Sequence, residues 1–237
     1  MDSIPHELFF GKNPSDNLSH FDGQLDDVRI YSRQLSQTEI VRTMNATVAS
    51  NTTGLEGYWK LDEGLGFKIF DLTENQKDGI MTGSVFSDDR PNVLNAGFTD
   101  ESGYYLIDGI NYGGGQSFTA RPNKDFEFNN ALEFNATDLQ YATMTDFVPS
   151  DSLGTIELWF KPSVLTGQQA ILHNAGLFDL SLNGTDIELS WNGSSAMNLG
   201  TVNTTDYVHV AIKYDPAASP SMTTYICLLY TSDAADE

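Results

Sequence analysis

Apolar residues along most of this chain recur at every second position, the spacing that turns one side of a strand toward a core and the other away from it. In Thr155-Ile156-Glu157-Leu158-Trp159-Phe160-Lys161, Ile156, Leu158 and Phe160 oppose Glu157, Trp159 and Lys161. Tyr207 to Tyr214 repeats the pattern, with Val208, Val210 and Ile212 on one side. Leu177–Leu182 and Ile187–Trp191 flank Asn183-Gly184, a pair that readily takes the positive φ angles of a tight hairpin. Tyr58 to Leu61 and Leu132 to Phe134 are shorter runs of the same kind. Such runs, punctuated by Gly, Asn and Asp, predict an all-β fold: an antiparallel β-sandwich.

One segment breaks the pattern. Ser36-Gln37-Thr38-Glu39 is a capping box, with Ser36 at the N-cap and Glu39 at the third helical position. Leu35 before the cap and Ile40 after it supply the matching hydrophobic staple. A short helix is expected from there to about Met44. The small polar residues that follow, through Gly54, predict a linker over 46–54.

Composition narrows the partners. Hydrophobic residues make up 40 % of the chain, enough for a packed core. The formal net charge of −21 disfavours nucleic-acid backbones and anionic membranes as partners. No apolar run approaches the roughly 20 residues of a membrane-spanning helix, so no membrane insertion is expected. A single Cys removes any disulfide framework. The four histidines, His6, His20, His173 and His209, show no paired metal spacing, and packing or hydrogen-bonding roles are expected for them.

Two stretches resemble opposite ends of one family. Residues 21–40, Phe-Asp-Gly-Gln-Leu-Asp-Asp-Val-Arg-Ile-Tyr-Ser-Arg-Gln-Leu-Ser-Gln-Thr-Glu-Ile, are similar to the closing signature of laminin G-like, concanavalin A-like jelly rolls. Gly57-Tyr58-Trp59-Lys60-Leu61-Asp62-Glu63-Gly64 and the turn Asp71 to Gly79 resemble the family's opening, with Glu74 where that turn usually has Gly. Ala131 to Asn135, Ile156 to Pro162 and Tyr207 to Ala211 then follow in family order. Within the second stretch, Thr99 to Ile110 resembles a carboxypeptidase-regulatory-like β module, which predicts an inserted hairpin segment over 92–130. Residues 227–237 resemble a translated sequencing adapter and are expected to be a non-native tail.

The resemblance implies an organisation. Residues 1–45 correspond to the end of one jelly roll and 55–226 to the beginning of the next. The two are complementary, and the expectation is one circularly permuted jelly-roll sandwich with one short helix. Val28 and Ile30 should then share a core with Leu61, Ile156 and Val210.

The resemblance also implies a function: a non-catalytic adhesion or carbohydrate- or matrix-binding module of a large secreted or surface protein. Its partners would be glycans or extracellular matrix and surface proteins. A spacer in a stalk and a fragment of a glycan-cleaving enzyme are the alternatives. The Glu-x-Asp-x-x-Glu strand of jelly-roll β-glucanases has its nearest counterpart in Asp186-Ile187-Glu188-Leu189-Ser190, which lacks the first and last Glu. Family members often carry a structural Ca²⁺, and Asp and Asn oxygens suit that cation. Asp62, Asp71, Asn75 and Asp78 in the opening turns, with Asp26 beside Asp27 in the closing strand, are the candidate ligands; turn residues and a solvated acidic surface are the other reading. Trp59 and Trp159 fall in expected core strands. Trp191, at a strand end beside Asn192, is the tryptophan expected to be exposed, and Trp191 with Asn192 is the candidate ligand-binding pair.

Overall fold

The computed structural model describes residues 7–15, 19–44, 46–91, 130–147, 154–174, 177–191, 193–214 and 222–228. Along the chain the elements are β1 (Leu8–Phe10), β2 (Gly23–Tyr31), α1 (Gln37–Thr43), β3 (Leu55–Trp59), β4 (Lys68–Ile69), β5 (Gly79–Thr82), β6 (Val85–Ser87), β7 (Ala131–Phe134) and β8 (Tyr141–Met144). They continue with β9 (Gly154–Pro162), β10 (Gln168–Asn174), β11 (Phe178–Asn183), β12 (Asp186–Trp191), β13 (Met197–Thr201), β14 (Val208–Tyr214) and β15 (Met222–Leu228). The expected insert over 92–130 lies outside the described residues except for Asn130.

Two antiparallel sheets stack face to face, as the alternation predicts. One has the order β13-β12-β11-β10-β1-β8-β5-β4. The other runs β15-β14-β9-β2-β7-β6, with β3 also paired to β2. The N-terminal strands sit inside both: β1 between β10 and β8, β2 between β9 and β7. Along β2, Gly23 to Leu25 pair with β7 and Val28 to Tyr31 with β3. The change of partner coincides with a register shift against β9 between Asp26 and Arg29, where Asp27 adopts a φ of 54°. Such a bulge re-aims the strand within the sheet.

Between the sheets lies one continuous core. Val28, Ile30, Leu61, Ile156 and Val210 all belong to it, with Leu8 and Phe10 of β1. Burying each such side chain contributes about 1.5–3 kcal/mol, so segments 8–31 and 55–226 stabilise each other directly. Gly57 leaves the Trp59 ring room to lie against β3, because a Cβ there would come within 2.3 Å of that ring.

The seven-stranded sheet is covered on its other side as well. Leu35 and Ile40 pack with Tyr31, Leu55, Tyr58 and Ala211 in a second cluster under α1. The capping box forms as expected: Glu39 N donates to Ser36 Oγ and Ser36 N to Glu39 Oε2. At the end of the helix and just after it, Arg29 donates to the carbonyls of Thr43 (2.6 Å) and Ala46 (2.8 Å), and Trp159 Nε1 donates to Met44 O (2.8 Å). This cover buries β9 on both sides. Glu157 and Trp159, on the side of β9 opposite Ile156, Leu158 and Phe160, are 0 % and 2 % exposed, so Trp159 is buried as expected of a core strand and Glu157 is buried with it.

At the C-terminal end, β15 pairs along all of β14, placing Cys227 opposite His209 and Leu228 opposite Val208. The strand thus runs two residues into the segment 227–237, and 229–237 lie outside the described residues. No helix among the described residues is long and apolar enough to cross a membrane.

Candidate functional site

Asp71 is the most constrained of the candidate calcium ligands. Its Oδ1 accepts from Tyr58 N (3.1 Å) and Thr73 N (3.0 Å). Its Oδ2 accepts from Thr73 Oγ1 (2.8 Å) and Lys77 N (2.9 Å). A carboxylate offers about four lone-pair sites, and all four are occupied by protein donors. Asp78 is engaged too, accepting from Asp71 N at Oδ1 and pairing with Lys68 at Oδ2. Asn75 donates to Glu56 O. This turn is a self-satisfied hydrogen-bonded unit that ties the loop to β3, and its carboxylates do not fit a cation's ligand set.

Asp26 and Asp62 form a different group. Burial pushes the Asp26 carboxyl well above the usual range, reinforced by Asp27 and Asp62. Burial likewise raises Asp62, which pairs with Lys60 at 2.8 Å and accepts from Asn130 N. Among the described residues, no group of three or more His, Cys, Asp or Glu is arranged to hold a metal ion.

Trp191 is not exposed. It is 5 % accessible and belongs to the main core, stacked with Phe178 (centroids 5.7 Å apart) and Tyr214 (4.3 Å). Its position at a strand end is offset by Tyr214, which reaches it from the opposite sheet. A ring enclosed in this way presents no platform to a sugar. Asn192 lies outside the described residues.

The face that does gather polar and aromatic groups is the outer side of the eight-stranded sheet. Lys68, Ile80, Thr143, Phe9, His173, Asp179 and Ser190 form one cross-strand row from β4 to β12. Their chain neighbours Ile69, Met81, Met144, Phe10, Leu172, Leu180 and Leu189 point into the core, so the row points away from it. The loop after β1 reaches over the same side. Asn13 Nδ2 donates to Asp179 Oδ2 at 2.9 Å, and Lys12 Nζ stands 4.3 Å above the Tyr141 ring. Phe9 lies between Tyr141 and His173, its centroid 6.2 and 6.3 Å from theirs.

At the centre of this row, His173 Nδ1 is 3.4 Å from Asp179 Oδ1. Neither atom has a hydrogen-bond partner within the protein, although both are shielded and His173 is only 8 % exposed. His173 was legible only as one of four scattered histidines. The short turn between the runs 168–174 and 178–183, which sets 173 opposite 179, is the signal that locates the pair.

An open depression of about 370 Å³ is lined by Glu56, Asn75, Lys77, Asp146 and Phe147 beside the Asp71 turn. None of the protein-family models, curated proteins or solved structures compared with this chain matches it.

Proposed function

We propose that this chain is a non-catalytic adhesion module that binds glycans or extracellular matrix and surface proteins, within a large secreted or cell-surface protein. The observation that carries the reading is the outer face of the eight-stranded sheet, where the Phe9, Tyr141 and His173 rings converge with the Asp179 carboxylate and the Asn13 carboxamide. Binding sites combine apolar surface with a few placed polar groups in this way. The resemblance of 21–40 and 57–79 to laminin G-like jelly rolls points in the same direction, and the strong negative charge sets polyanions aside as ligands.

The test is a screen of the purified chain against an immobilised glycan panel and a set of matrix proteins, with released products followed in parallel. Saturable binding without turnover is expected. Binding to nothing on either panel points instead to a spacer in a stalk, and release of shortened glycans to an enzyme.

A further inference from the structure

Resting on the secreted or cell-surface part of that reading, we infer that this chain is an acceptor of asparagine-linked glycans, with Asn51, Asn135 and Asn203 as the modified side chains. Such a transfer requires the triplet Asn-x-Ser/Thr with any residue but Pro at x. Seven of the 17 asparagines head that triplet: Asn17, Asn45, Asn51, Asn135, Asn183, Asn192 and Asn203. Ser and Thr fill 41 of the 237 positions, a share that would complete the triplet about three times in this chain. Asn17, Asn45 and Asn192 lie outside the described residues. The other four are all exposed and stand in a turn, in a loop or at the last residue of a strand. Asn174, by contrast, is 1 % exposed and donates to Phe147 O inside the sandwich, and it is followed by Ala-Gly, so it cannot be an acceptor.

The atom that takes the sugar is the carboxamide nitrogen, and it is free at three of the four. Asn135 Oδ1 accepts from Thr137 N (2.9 Å) and Asp138 N (3.3 Å), an Asx turn that holds the carboxamide by its oxygen and leaves Nδ2 without a partner among the described residues. Asn51 and Asn203 make no side-chain hydrogen bond among the described residues. Asn183 Nδ2 donates to Glu188 Oε1 at 3.2 Å, which makes it the least suited. In the transfer, Nδ2 attacks C1 of an oligosaccharide carried on a polyprenyl diphosphate. The N–C1 bond forms, the C1–O bond to the diphosphate breaks, the lipid diphosphate leaves and Nδ2 gives up one proton. Two of the three acceptors share one end of the sandwich. Phe134 pairs with Gly23 and Gly23 with Pro162, from which residues 163–167 lead to Gln168 of β10. Gln168 pairs with Asn183, and Val202 N bonds to Thr185 O, so Asn135 and Asn203 stand on the same rim. A rim that carries two glycans is closed to a tightly packed protein partner.

The experiment produces the whole chain behind a secretion leader in a eukaryotic host. Its mass is measured before and after enzymatic removal of Asn-linked glycans in heavy-oxygen water, which converts each occupied Asn to an isotope-marked Asp. Marked Asp is expected at Asn51, Asn135 and Asn203, with the lowest occupancy at Asn183. Asn51→Gln, Asn135→Gln and Asn203→Gln should each lose the mass of one glycan. Thr137→Ser should keep the glycan at Asn135 and Thr137→Ala should lose it, which separates the need for the hydroxyl from damage to the turn. Translation into microsomes gives the same readout for any variant that the host does not export. A chain found at its unmodified mass overturns the proposal, and so does marking confined to the other four triplets. An unmodified chain that still binds the glycan or matrix panel overturns the acceptor sites and leaves the module reading standing. A glycosylated chain that binds neither panel overturns the module reading and leaves the acceptor sites in place.

Discussion

Glu157 Oε1 lies 3.6 Å from His209 Nε2 on adjacent strands β9 and β14, with both side chains sealed from solvent beneath α1. Arg29, Asp27 and Tyr31 of β2, Tyr58 of β3 and Thr43 of the helix complete the surroundings. Burial, opposed by Arg29 and helped by Asp27, pushes the Glu157 carboxyl from 4.5 up to about 7. Burial, with Arg29, pushes His209 from 6.5 down to about 3.

Those two shifts have opposite consequences for stability. The raised Glu157 contributes stability that is fully present below pH 4.5 and lost as pH rises through about 7. The lowered His209 contributes stability that is present above pH 6.5 and lost as pH falls through about 3. They oppose each other in between, so within the pair the two dependences largely cancel from pH 4.5 to 6.5, while the raised Asp26 and Asp62 carboxyls act alike in wild type and variants. Measured against wild type, the melting temperature of His209→Gln should fall further as pH rises across that window. That of Glu157→Gln should fall further than wild type on acidification. Parallel profiles for the two variants would contradict the assignment.

Arg29 holds the chain where it leaves the helix, through Thr43 O and Ala46 O, and pairs with Asp27 at 2.7 Å. Removing one partner of a buried pair typically costs about 3–5 kcal/mol, because the other charge is left uncompensated. Arg29→Met should lose that much in denaturant unfolding. The amides of Met44 and Ala46, which bond back to Ile40 O and Thr43 O, should exchange faster with solvent. Unaltered exchange at those two amides would show that the cover is held by other means.

The Asp71 turn makes a prediction about calcium. Asp71→Ala strands the N–H groups of Tyr58, Thr73 and Lys77, at about 1–3 kcal/mol for each one left dry. The loss of stability should be the same in millimolar Ca²⁺ and in a chelator, and the wild-type melting curve should not respond to either. A chelator-sensitive wild type would return Asp71 and its neighbours to a metal-binding role.

Much of this architecture is legible in the sequence because it depends on neighbours close along the chain. The Ser36/Glu39 capping box, the Leu35 and Ile40 staple, and the alternation of Ile156, Leu158 and Phe160 all form where the pattern puts them. What pattern misses is set by distant partners. The cover over Glu157 and Trp159 is invisible to the pattern because Thr43 and Met44, which close over them, are more than 110 residues away. Trp191 reads as exposed because Tyr214, which stacks on it, belongs to the other sheet. The outer-face row is hidden for the same reason: Phe9, Thr143 and His173 become neighbours only once β1 is inserted between β8 and β10.

Trp191 allows a direct check of that correction. All three tryptophans are at most 5 % exposed, so native fluorescence should be blue-shifted and poorly quenched by acrylamide. Trp191→Ala should cost about 3–5 kcal/mol, as for other large aromatics removed from a core. An efficiently quenched tryptophan that disappears in Trp191→Phe would place this ring at the surface after all.

The insertion of the N-terminal strands determines how the chain behaves when cut. Without β1, the eight-stranded sheet separates into β13-β12-β11-β10 and β8-β5-β4. Without β2, the other sheet separates into β15-β14-β9 and β7-β6, and β3 loses its partner. Each piece would expose apolar faces and unpaired edges to water, and neither part is expected to fold alone. The segment 46–54, by contrast, is a largely exposed connection tied near its ends by Arg29 to Ala46 O, Ser32 N to Gly54 O and Arg33 Nε to Thr53 O. Cutting it leaves every ladder bond of both sheets intact. A protease site placed over Ala49 to Asn51 should therefore be cleaved in the native protein, and the two pieces should co-elute in size-exclusion chromatography until denaturant is added. They should then melt at a temperature that depends on protein concentration, because folding has become association. Separately produced pieces should each be unfolded or aggregated and should regain strand signal in circular dichroism on mixing. Dissociation of the nicked protein without denaturant, or an independently folded 55–226 piece, would mean that β1 and β2 are accessory to the sandwich and not part of its frame.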